Sequence, residues 1–183
     1  MRSLKGHLLI AAPSLADPNF RRTVVLMIQH DENGAFGLVL NRTASISIQQ
    51  VWEQVSDTPC AIEGTLHQGG PVEGPLMALH DSVELSEIEV ISGVYFCVSA
   101  ENMRTLVEGE NRTGLFFIGH AGWSFEQLEN ELAEGAWYTH PATPDDVFGD
   151  DSDLWNRSLK ASGRARLEGL LDLKNMPDDP SMN

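Results

Sequence analysis

The chain has 183 residues, 42% of them hydrophobic, and a formal net charge of −15 from 27 acidic and 12 basic side chains. This length suits one domain, and the hydrophobic content is sufficient for a buried core. The charge opposes general binding to nucleic acid or to anionic lipid, because both depend on an excess of Lys and Arg. The apolar runs at residues 8–12 and 24–28 are too short for a secretory signal or a membrane span, so we expect a cytoplasmic protein.

The first elements are predicted to be strands. Residues 7–12 and 23–30 are nearly continuous apolar or β-branched runs, which is typical of strands that are buried on both faces. The dipeptide Asn33-Gly34 tolerates positive φ at both positions and precedes a third apolar run. The sequence therefore predicts a central β-hairpin.

The middle of the chain mixes short helices and strands. Residues 45–55 carry apolar side chains at helical spacing, which predicts a helix. Two short strands are predicted within 66–80, on either side of the turn-forming GGPVEGP. Residues 88–99 predict one strand that is kinked at Gly93, and residues 100–109 predict a helix that ends at Gly109.

A Gly-rich corner, GHAGWS, follows the apolar run 113–119. Ser124 is a good N-cap, and Gln127 stands three residues later, as a capping box requires. We therefore predict a strand, a turn and a helix that starts directly after Ser124. Gly135 is expected to end this helix at the C′ position, before a returning strand.

The C-terminal part begins with an acidic connector that contains Pro141 and Pro144. Residues 152–162 predict a helix ended by Gly163, and residues 176–183 lack periodicity and predict a tail. We therefore expect one domain over residues 1–175. Irregular alternation of helices and strands, with an antiparallel hairpin, predicts an α+β fold.

No catalytic residue is assigned. The strand–turn–helix context of GHAGWS is that of a nucleophile elbow, but the central position is Ala121, which cannot attack a substrate. His120 has the chemistry of a base but no partner nucleophile in the sequence. The six histidines form neither HxH nor HExxH, so neither a metal nor another cofactor is predicted. Cys60 and Cys97 form no CxxC and are expected to be free thiols, with a redox role for Cys60 as the alternative.

Polar residues adjoin the tight turns in several separate motifs, as they would if these loops converged on one cleft. The candidate ligand-binding residues are Asp17, Arg22, Asn41, Arg42, Gly69, Gly70, His120 and Trp123. An arginine in such a cleft would bind a carboxylate or a phosphate. The alternative is a local pair between Asp17 and an arginine that only orders the turn.

Five stretches together resemble the YqgE/AlgH family of bacterial proteins: GHLLIAAPSLADPNFRRTVVLM, GAFGLVLNR, HQGGPV, FFIGHAGWSFEQLENELAEGAW and DLW. The resemblance covers about residues 6–160. It implies a single compact α+β domain, with a bent mixed or antiparallel sheet that includes a small barrel-like part and is flanked by helices. It implies no assigned enzymatic activity, and one member carries a transcriptional-regulator label. The family often has Tyr in place of His120, which argues against an essential acid–base role.

We therefore expect a non-enzymatic cytoplasmic regulatory or interaction protein, whose partner is another protein or a small molecule. Trp123, Trp137 and Trp155 would supply an aromatic contact patch unless they belong to the core. The alternative is a small-ligand-binding protein, or an unrecognised hydrolase, built on the predicted cleft. Direct contact with DNA through the basic residues near the C-terminus is a third hypothesis, which the acidic remainder of the chain disfavours.

Overall fold

The structure is a computed structural model that describes residues 2–109 and 113–174, with side chains described as far as residue 167. The predicted domain boundary at residue 175 and the tail at 176–183 lie outside the described residues. The strands are β1 His7–Ala11, β2 Val24–Asp31, β3 Gly34–Val39, β4 Thr43–Ser47, β5 Thr65–Gln68, β6 Met77–His80, β7 Ile88–Ile91, β8 Val94–Cys97, β9 Gly114–Ile118, β10 Ala121–Trp123 and β11 Trp137–Pro141. The helices are α1 Ile48–Val55, α2 Ala100–Glu108, α3 Gln127–Ala133, α4 Pro144–Phe148 and α5 Leu154–Lys174.

The described residues form two sheets. The first sheet has the order β10-β3-β2-β1-β11 and is antiparallel throughout. The second has the order β4-β5-β9-β6-β8-β7 and is mixed, because β5 and β9 run parallel while its other pairs are antiparallel. The predicted α+β fold is confirmed. The bent sheet takes the form of these two sheets, and neither closes into a barrel within the described ranges, since each has two edge strands.

Three hydrophobic clusters stack the sheets and helices in layers. The first cluster fills the space between the two sheets, where Leu26 and Leu38 of the first sheet meet Leu79 and Phe117 of the second. The second lies on the outer face of the first sheet beneath α3, and the third lies on the outer face of the second sheet beneath α1 and α2. Both faces of each sheet are therefore covered, which explains why β1 and β2 are continuous apolar runs.

The N-terminal hairpin is confirmed. Strands β2 and β3 pair in antiparallel register, and β2 lies at the centre of its sheet. The turn itself consists of Glu32 and Asn33, because Gly34 already pairs with Asp31, and of the predicted Asn-Gly pair only Gly34 has a positive φ.

The helix predicted over residues 45–55 starts later than expected. Residues 43–47 form β4, which pairs with β5, and α1 begins at Ile48. The reason is that Ser47 is the N-cap, accepting a hydrogen bond from the amide of Gln50, while the Gln50 side chain accepts one from the amide of Ser47.

The kinked strand predicted over residues 88–99 is wrong. Strands β7 and β8 are the two arms of a hairpin and pair with each other in antiparallel register. Gly93 occupies the turn with a φ of +82°, a conformation that favours glycine and reverses the chain.

The Gly-rich corner is also different from the prediction. Residues 121–123 form the edge strand β10, paired with β3, and α3 begins only at Gln127. Ser124 is therefore not the N-cap, and Phe125, which the prediction made the first residue of the helix, precedes it and is 56% exposed. The C-terminal prediction is confirmed: Gly135 has a φ of +77°, and the amides of Gly135 and Ala136 close a Schellman motif.

The C-terminal helices extend beyond the predicted ones. The acidic connector contains α4, which begins with a capping box between Thr143 and Asp146 and has Pro144 as its first residue. Helix α5 continues through Gly163, so the predicted end at that glycine is wrong. Docking of α5 against β11 and β1 outweighs the low helix propensity of one glycine, about 1 kcal/mol.

Candidate functional site

The loop at residues 17–22 is fastened by the two residues that follow β3. The guanidinium of Arg42 donates hydrogen bonds to the carbonyl oxygens of Asn19 and Pro18, at 2.6 and 2.9 Å. The amide side chain of Asn41 donates to the carbonyl of Arg22 and accepts from the amide of Val24, each at 2.9 Å. Two of the predicted turns therefore meet, and these two side chains hold the loop in place.

The charge of Arg42 is committed to this structural role. Burial lowers the pKa of its guanidinium, Asp17 opposes that shift and Arg21 adds to it. An arginine remains charged in spite of such a shift. The Asp17 side chain accepts a hydrogen bond from the amide of Asn19 at 2.7 Å and so orders the same turn.

Arg22 has a different environment. Its backbone has a φ of +57°, which is uncommon for a residue with a side chain. Its guanidinium lies over the ring of Trp155, 5.3 Å from the centroid. The Trp155 ring is fixed in turn, because its N–H donates to the carbonyl of Ala11 at 2.8 Å. Among the described residues no carboxylate forms a salt bridge with Arg22.

Arg22 lies between two concavities. One has a volume of about 330 Å³ and is lined by Ala12, Pro13 and Arg21 together with Arg22. The other has a volume of about 340 Å³. It is lined by Arg22, Asn41, Thr43, Asp151, Ser152, Asp153, Leu154, Trp155 and Asn156. We call the second one the Arg22 cavity.

The turns that contain Gly69-Gly70 and His120 also meet each other. Val72 and His120 exchange backbone hydrogen bonds of 3.0 and 2.9 Å. A Cβ on Gly70 would lie 2.2 Å from the carbonyl carbon of His120, and one on Gly69 would lie 2.3 Å from the carbonyl oxygen of Gly119. Only glycine therefore permits this approach.

A cleft of about 790 Å³ lies beside this contact, between the 70–74 loop and β4. Thr43 lines both this cleft and the Arg22 cavity. The four predicted turns therefore form two pairs that border adjoining concavities on one side of the molecule.

His120 is placed next to this cleft without a partner for catalysis. Its ring packs against Phe36, with centroids 5.1 Å apart, and its Nδ1 atom is buried without a hydrogen bond among the described residues. Burial lowers its pKa, which favours the neutral imidazole at pH 7. In the described ranges no Ser, Thr or Cys side chain is hydrogen-bonded to it.

Trp123 lies away from both concavities. It is 5% exposed in the core outside the first sheet, stacked on Phe20 and in edge contact with Trp137, which is 4% exposed. The Oε2 atom of Glu131 accepts a hydrogen bond from both indole N–H groups, at 2.9 and 2.8 Å. Trp123 and Trp137 are core residues and do not supply the contact patch that the sequence suggested.

The sequence did not indicate Asp151, and it suggested Trp155 only for an aromatic contact patch, yet both line the Arg22 cavity. They come from the start of α5 and the residues before it, more than a hundred residues from Arg22. The motif DLW contains Trp155, but nothing local in it indicates which loop it contacts.

The described residues limit the kinds of site that this part of the chain can contain. They contain no group of three or more His, Cys, Asp or Glu side chains arranged to hold a metal ion. In the same residues, no helix combines the length and the apolar character needed to cross a membrane.

The fold and the site define a layered, two-sheet α+β domain whose polar side carries an arginine-lined cavity. A family model described as AlgH-like matches residues 8–166, so the chain belongs to the AlgH-like family, as the resemblance predicted. Proteins named UPF0301 protein are similar over nearly the whole length. One from Chlorobium chlorochromatii is 35% identical and covers 97% of this chain and 94% of its own, and one from Streptomyces avermitilis is 38% identical and covers 99% and 96%.

Solved structures show the same fold. The solution structure of the AlgH protein from Pseudomonas aeruginosa is 34% identical, covers 97% of this chain and 96% of its own, and has a TM-score of 0.73. A crystal structure of a protein from Corynebacterium diphtheriae is 24% identical, covers 88% of each chain and has a TM-score of 0.67, which supports the fold alone.

Proposed function

We propose that the protein is a non-enzymatic cytoplasmic regulatory protein that binds a small anionic ligand at Arg22. The observation that carries the proposal is the state of this arginine. It stands in a left-handed backbone conformation, lies over the Trp155 ring and borders two concavities, and no described carboxylate neutralises it.

The chemistry of guanidinium supports a carboxylate or a phosphate as the anion. A planar guanidinium offers paired N–H donors that match the spacing of two oxygen atoms of such a group. Stacking on an aromatic ring restricts the side chain before the ligand arrives, so less conformational entropy is lost on binding. A left-handed residue costs about 1–3 kcal/mol, and such residues are concentrated at ligand sites.

Local charge also favours this position. The chain carries a net charge of −15, which repels anions from most of its surface. Three of the 12 basic side chains lie close together at the 17–22 loop. They are Arg21 and Arg22 within the loop, and Arg42, which is hydrogen-bonded to it. Arg22 therefore attracts an anionic group, while Asp151 and Asp153 on the wall of the Arg22 cavity repel any further negative charge. The net charge of the chain also disfavours nucleic acid as the partner.

The side chains around the two concavities support a non-catalytic role. General acid–base or nucleophilic catalysis needs a base within hydrogen-bond reach of the group it activates. His120 has no such neighbour among the described residues. The simplest function of such a site is to bind a ligand that regulates the protein.

Isothermal titration calorimetry tests the proposal, with inorganic phosphate, sugar phosphates and short mono- and dicarboxylates as probes. We expect at least one class to bind, Arg22→Ala to abolish binding, and Arg22→Lys to retain only part of it because the paired donors are lost. Arg104→Ala is the matched control, since Arg104 is an exposed arginine on α2. The proposal is refuted if no ligand that carries a carboxylate or a phosphate binds, or if binding to Arg22→Ala equals binding to the wild type.

A second candidate function is protein interaction, which one observation favours. An apolar groove of about 490 Å³ is lined by Pro13, Tyr138, Leu159 and Leu167, and Leu167 is 64% exposed. Exposed Arg166 borders the groove, and a second copy of this acidic chain would bring the complementary charge.

Sedimentation velocity over a range of concentrations tests self-association. We expect a dimer that weakens with added salt and is lost in Leu167→Asp. A wild-type protein that remains monomeric at the highest concentration reached would remove this second candidate.

A further inference from the structure

The Arg22 cavity contains an uncompensated anion as well as an uncompensated cation. Asp151 is half-buried at its wall, and its carboxylate makes no side-chain hydrogen bond or salt bridge to a described residue. The neighbouring Asp153 also lines the cavity and keeps its negative charge, but its Oδ1 atom already accepts a hydrogen bond from the amide side chain of Asn156 at 2.6 Å.

His67, whose pKa is affected by Asp151, does not neutralise the charge of that carboxylate. Burial lowers the pKa of His67, while Asp151 raises it and the hydrogen bond to Leu40 also raises it. The net direction is downward, so His67 is neutral at pH 7. Its Nδ1–H donates to the carbonyl of Leu40 at 2.9 Å. The charge of Asp151 is therefore left for another cation.

Arg22 is not that cation. Both residues line the same cavity of about 340 Å³, yet they form no salt bridge, for which the nitrogen and oxygen atoms must lie within 4.0 Å. The cavity separates two opposite charges that each retain unused hydrogen-bonding capacity. Its volume is at the lower end of the range of about 300–1,000 Å³ that is usual for ligand pockets.

We propose that the ligand of the Arg22 cavity is a zwitterion of the α-amino acid class, whose carboxylate binds Arg22 and whose ammonium group binds Asp151. This inference rests on the proposed anion-binding function and names the ligand class. A ligand with only a carboxylate or a phosphate would leave Asp151 facing a like charge, and a ligand with only an amine would leave Arg22 in the same position. A zwitterion satisfies both groups at once.

Several other side chains of the cavity are already occupied. The hydroxyl of Ser152 donates to Asp150, and both polar atoms of the Asn41 side chain are bonded to backbone groups. Among the charged side chains of the cavity, Arg22 and Asp151 are the two without a side-chain hydrogen bond to a described residue, so recognition depends on them. Thr43 also lines the cavity, and its hydroxyl has no side-chain hydrogen bond to a described residue.

The experiment compares matched probes by calorimetry: L-alanine, propionate, which lacks the amine, and ethylamine, which lacks the carboxylate. The remaining proteinogenic L-amino acids are then titrated to find the side chain with the highest affinity, each beside its deaminated analogue. We expect an amino acid to bind at least about tenfold more tightly than its deaminated analogue, which corresponds to about 1.4 kcal/mol. This comparison needs no variant and so cannot be confused with misfolding.

Two variants assign the contacts, with unfolding curves to verify that each is folded. In Asp151→Asn the preference for the amino acid over its deaminated analogue should disappear, because the amide does not attract an ammonium group. In Arg22→Ala both probes should lose affinity. The control Glu32→Gln removes an exposed carboxylate in the β2–β3 turn and should change neither.

The outcomes separate the two proposals. If anions bind in an Arg22-dependent manner but the amine adds nothing, or if Asp151→Asn keeps the full preference for the amino acid, the zwitterion is excluded and the anion-binding function stands. If neither amino acids nor the phosphates and carboxylates bind, both proposals are overturned.

Discussion

The backbone conformation of Arg22 predicts that the Arg22→Gly variant of the protein is more stable than the Arg22→Ala variant. At most positions a Gly is less stable than an Ala by roughly 0.5–1 kcal/mol, because the unfolded chain with Gly has more conformational freedom. At Arg22 the φ of +57° adds an opposite contribution, since a left-handed residue with a Cβ costs about 1–2 kcal/mol. The net difference between the two variants should therefore favour Arg22→Gly over Arg22→Ala by about 0.5–1 kcal/mol.

Both variants lose the contact of the guanidinium with Trp155, worth about 0.5–1 kcal/mol at a partly exposed site, so this loss cancels in the comparison. Urea denaturation measures the difference. With a slope of about 2–3 kcal/mol per molar urea, the midpoint of Arg22→Gly should be higher than that of Arg22→Ala by about 0.3 M.

Arg21 provides the matched control, because it is an exposed arginine in the same loop without a positive φ. There the usual order should return, with Arg21→Ala more stable than Arg21→Gly. Glu126 is a second test, since its φ is +63° and its glycine variant should again be the more stable one. An alanine variant at position 22 that equals or exceeds the glycine variant would refute the reasoning about strain.

Three further predictions concern the core, a close approach and the thiols. Glu131→Ala should lower the free energy of unfolding by about 2–4 kcal/mol in urea titrations, because two buried indole N–H groups lose their acceptor; an unchanged midpoint would contradict this. Gly70→Ala should lower the free energy of unfolding by at least about 2 kcal/mol, since its Cβ would lie 2.2 Å from a backbone carbon. The control Gly64→Ala, whose Cβ would have nothing within 4 Å, should be neutral or slightly stabilising. Similar melting temperatures for the two variants would count against the close approach of Gly70 to His120. Iodoacetamide should label half-buried Cys60 in the native protein and Cys97 only after unfolding, because burial raises the pKa of the Cys97 thiol to about 12; mass spectrometry that finds native labelling of Cys97 would show the burial to be wrong.

The parts of the fold that the sequence predicts well are those that local chemistry decides. Asn33-Gly34 predicted the position of the hairpin, although only Gly34 has a positive φ, and the continuous apolar runs beside it indicated strands covered on both faces. Gly135 fixed the end of α3 in the same way. These features depend on residues within a few positions of each other.

The errors lie where partners distant in sequence decide the outcome. The helix predicted over residues 45–55 includes residues 45–47, but pairing with β5 makes residues 43–47 a strand. Residues 121–123 form a strand because β3 offers an open edge. Neither segment indicates which strand it pairs with, since a strand edge accepts any backbone of suitable length.

The candidate site divides in the same manner. Tight turns predicted that the 17–22 loop and residues 41–42 would meet, and Arg42 makes that contact. Asp151 and Trp155 reach Arg22 only because α5 docks on the first sheet, where the Trp155 indole is hydrogen-bonded to Ala11. The side chains that give the cavity its second charge therefore could not be predicted from the segment that contains Arg22.

The first sheet joins distant parts of the chain. Strand β1 lies between β2 and β11, so residues 7–11 pair with residues 137–141. During synthesis on the ribosome, one edge of β1 therefore stays without its partner until residues 137–141 have been made. A nascent chain stalled before residue 137 exposes a strand of almost wholly apolar side chains, which makes such truncated chains substrates for chaperones and prone to aggregation.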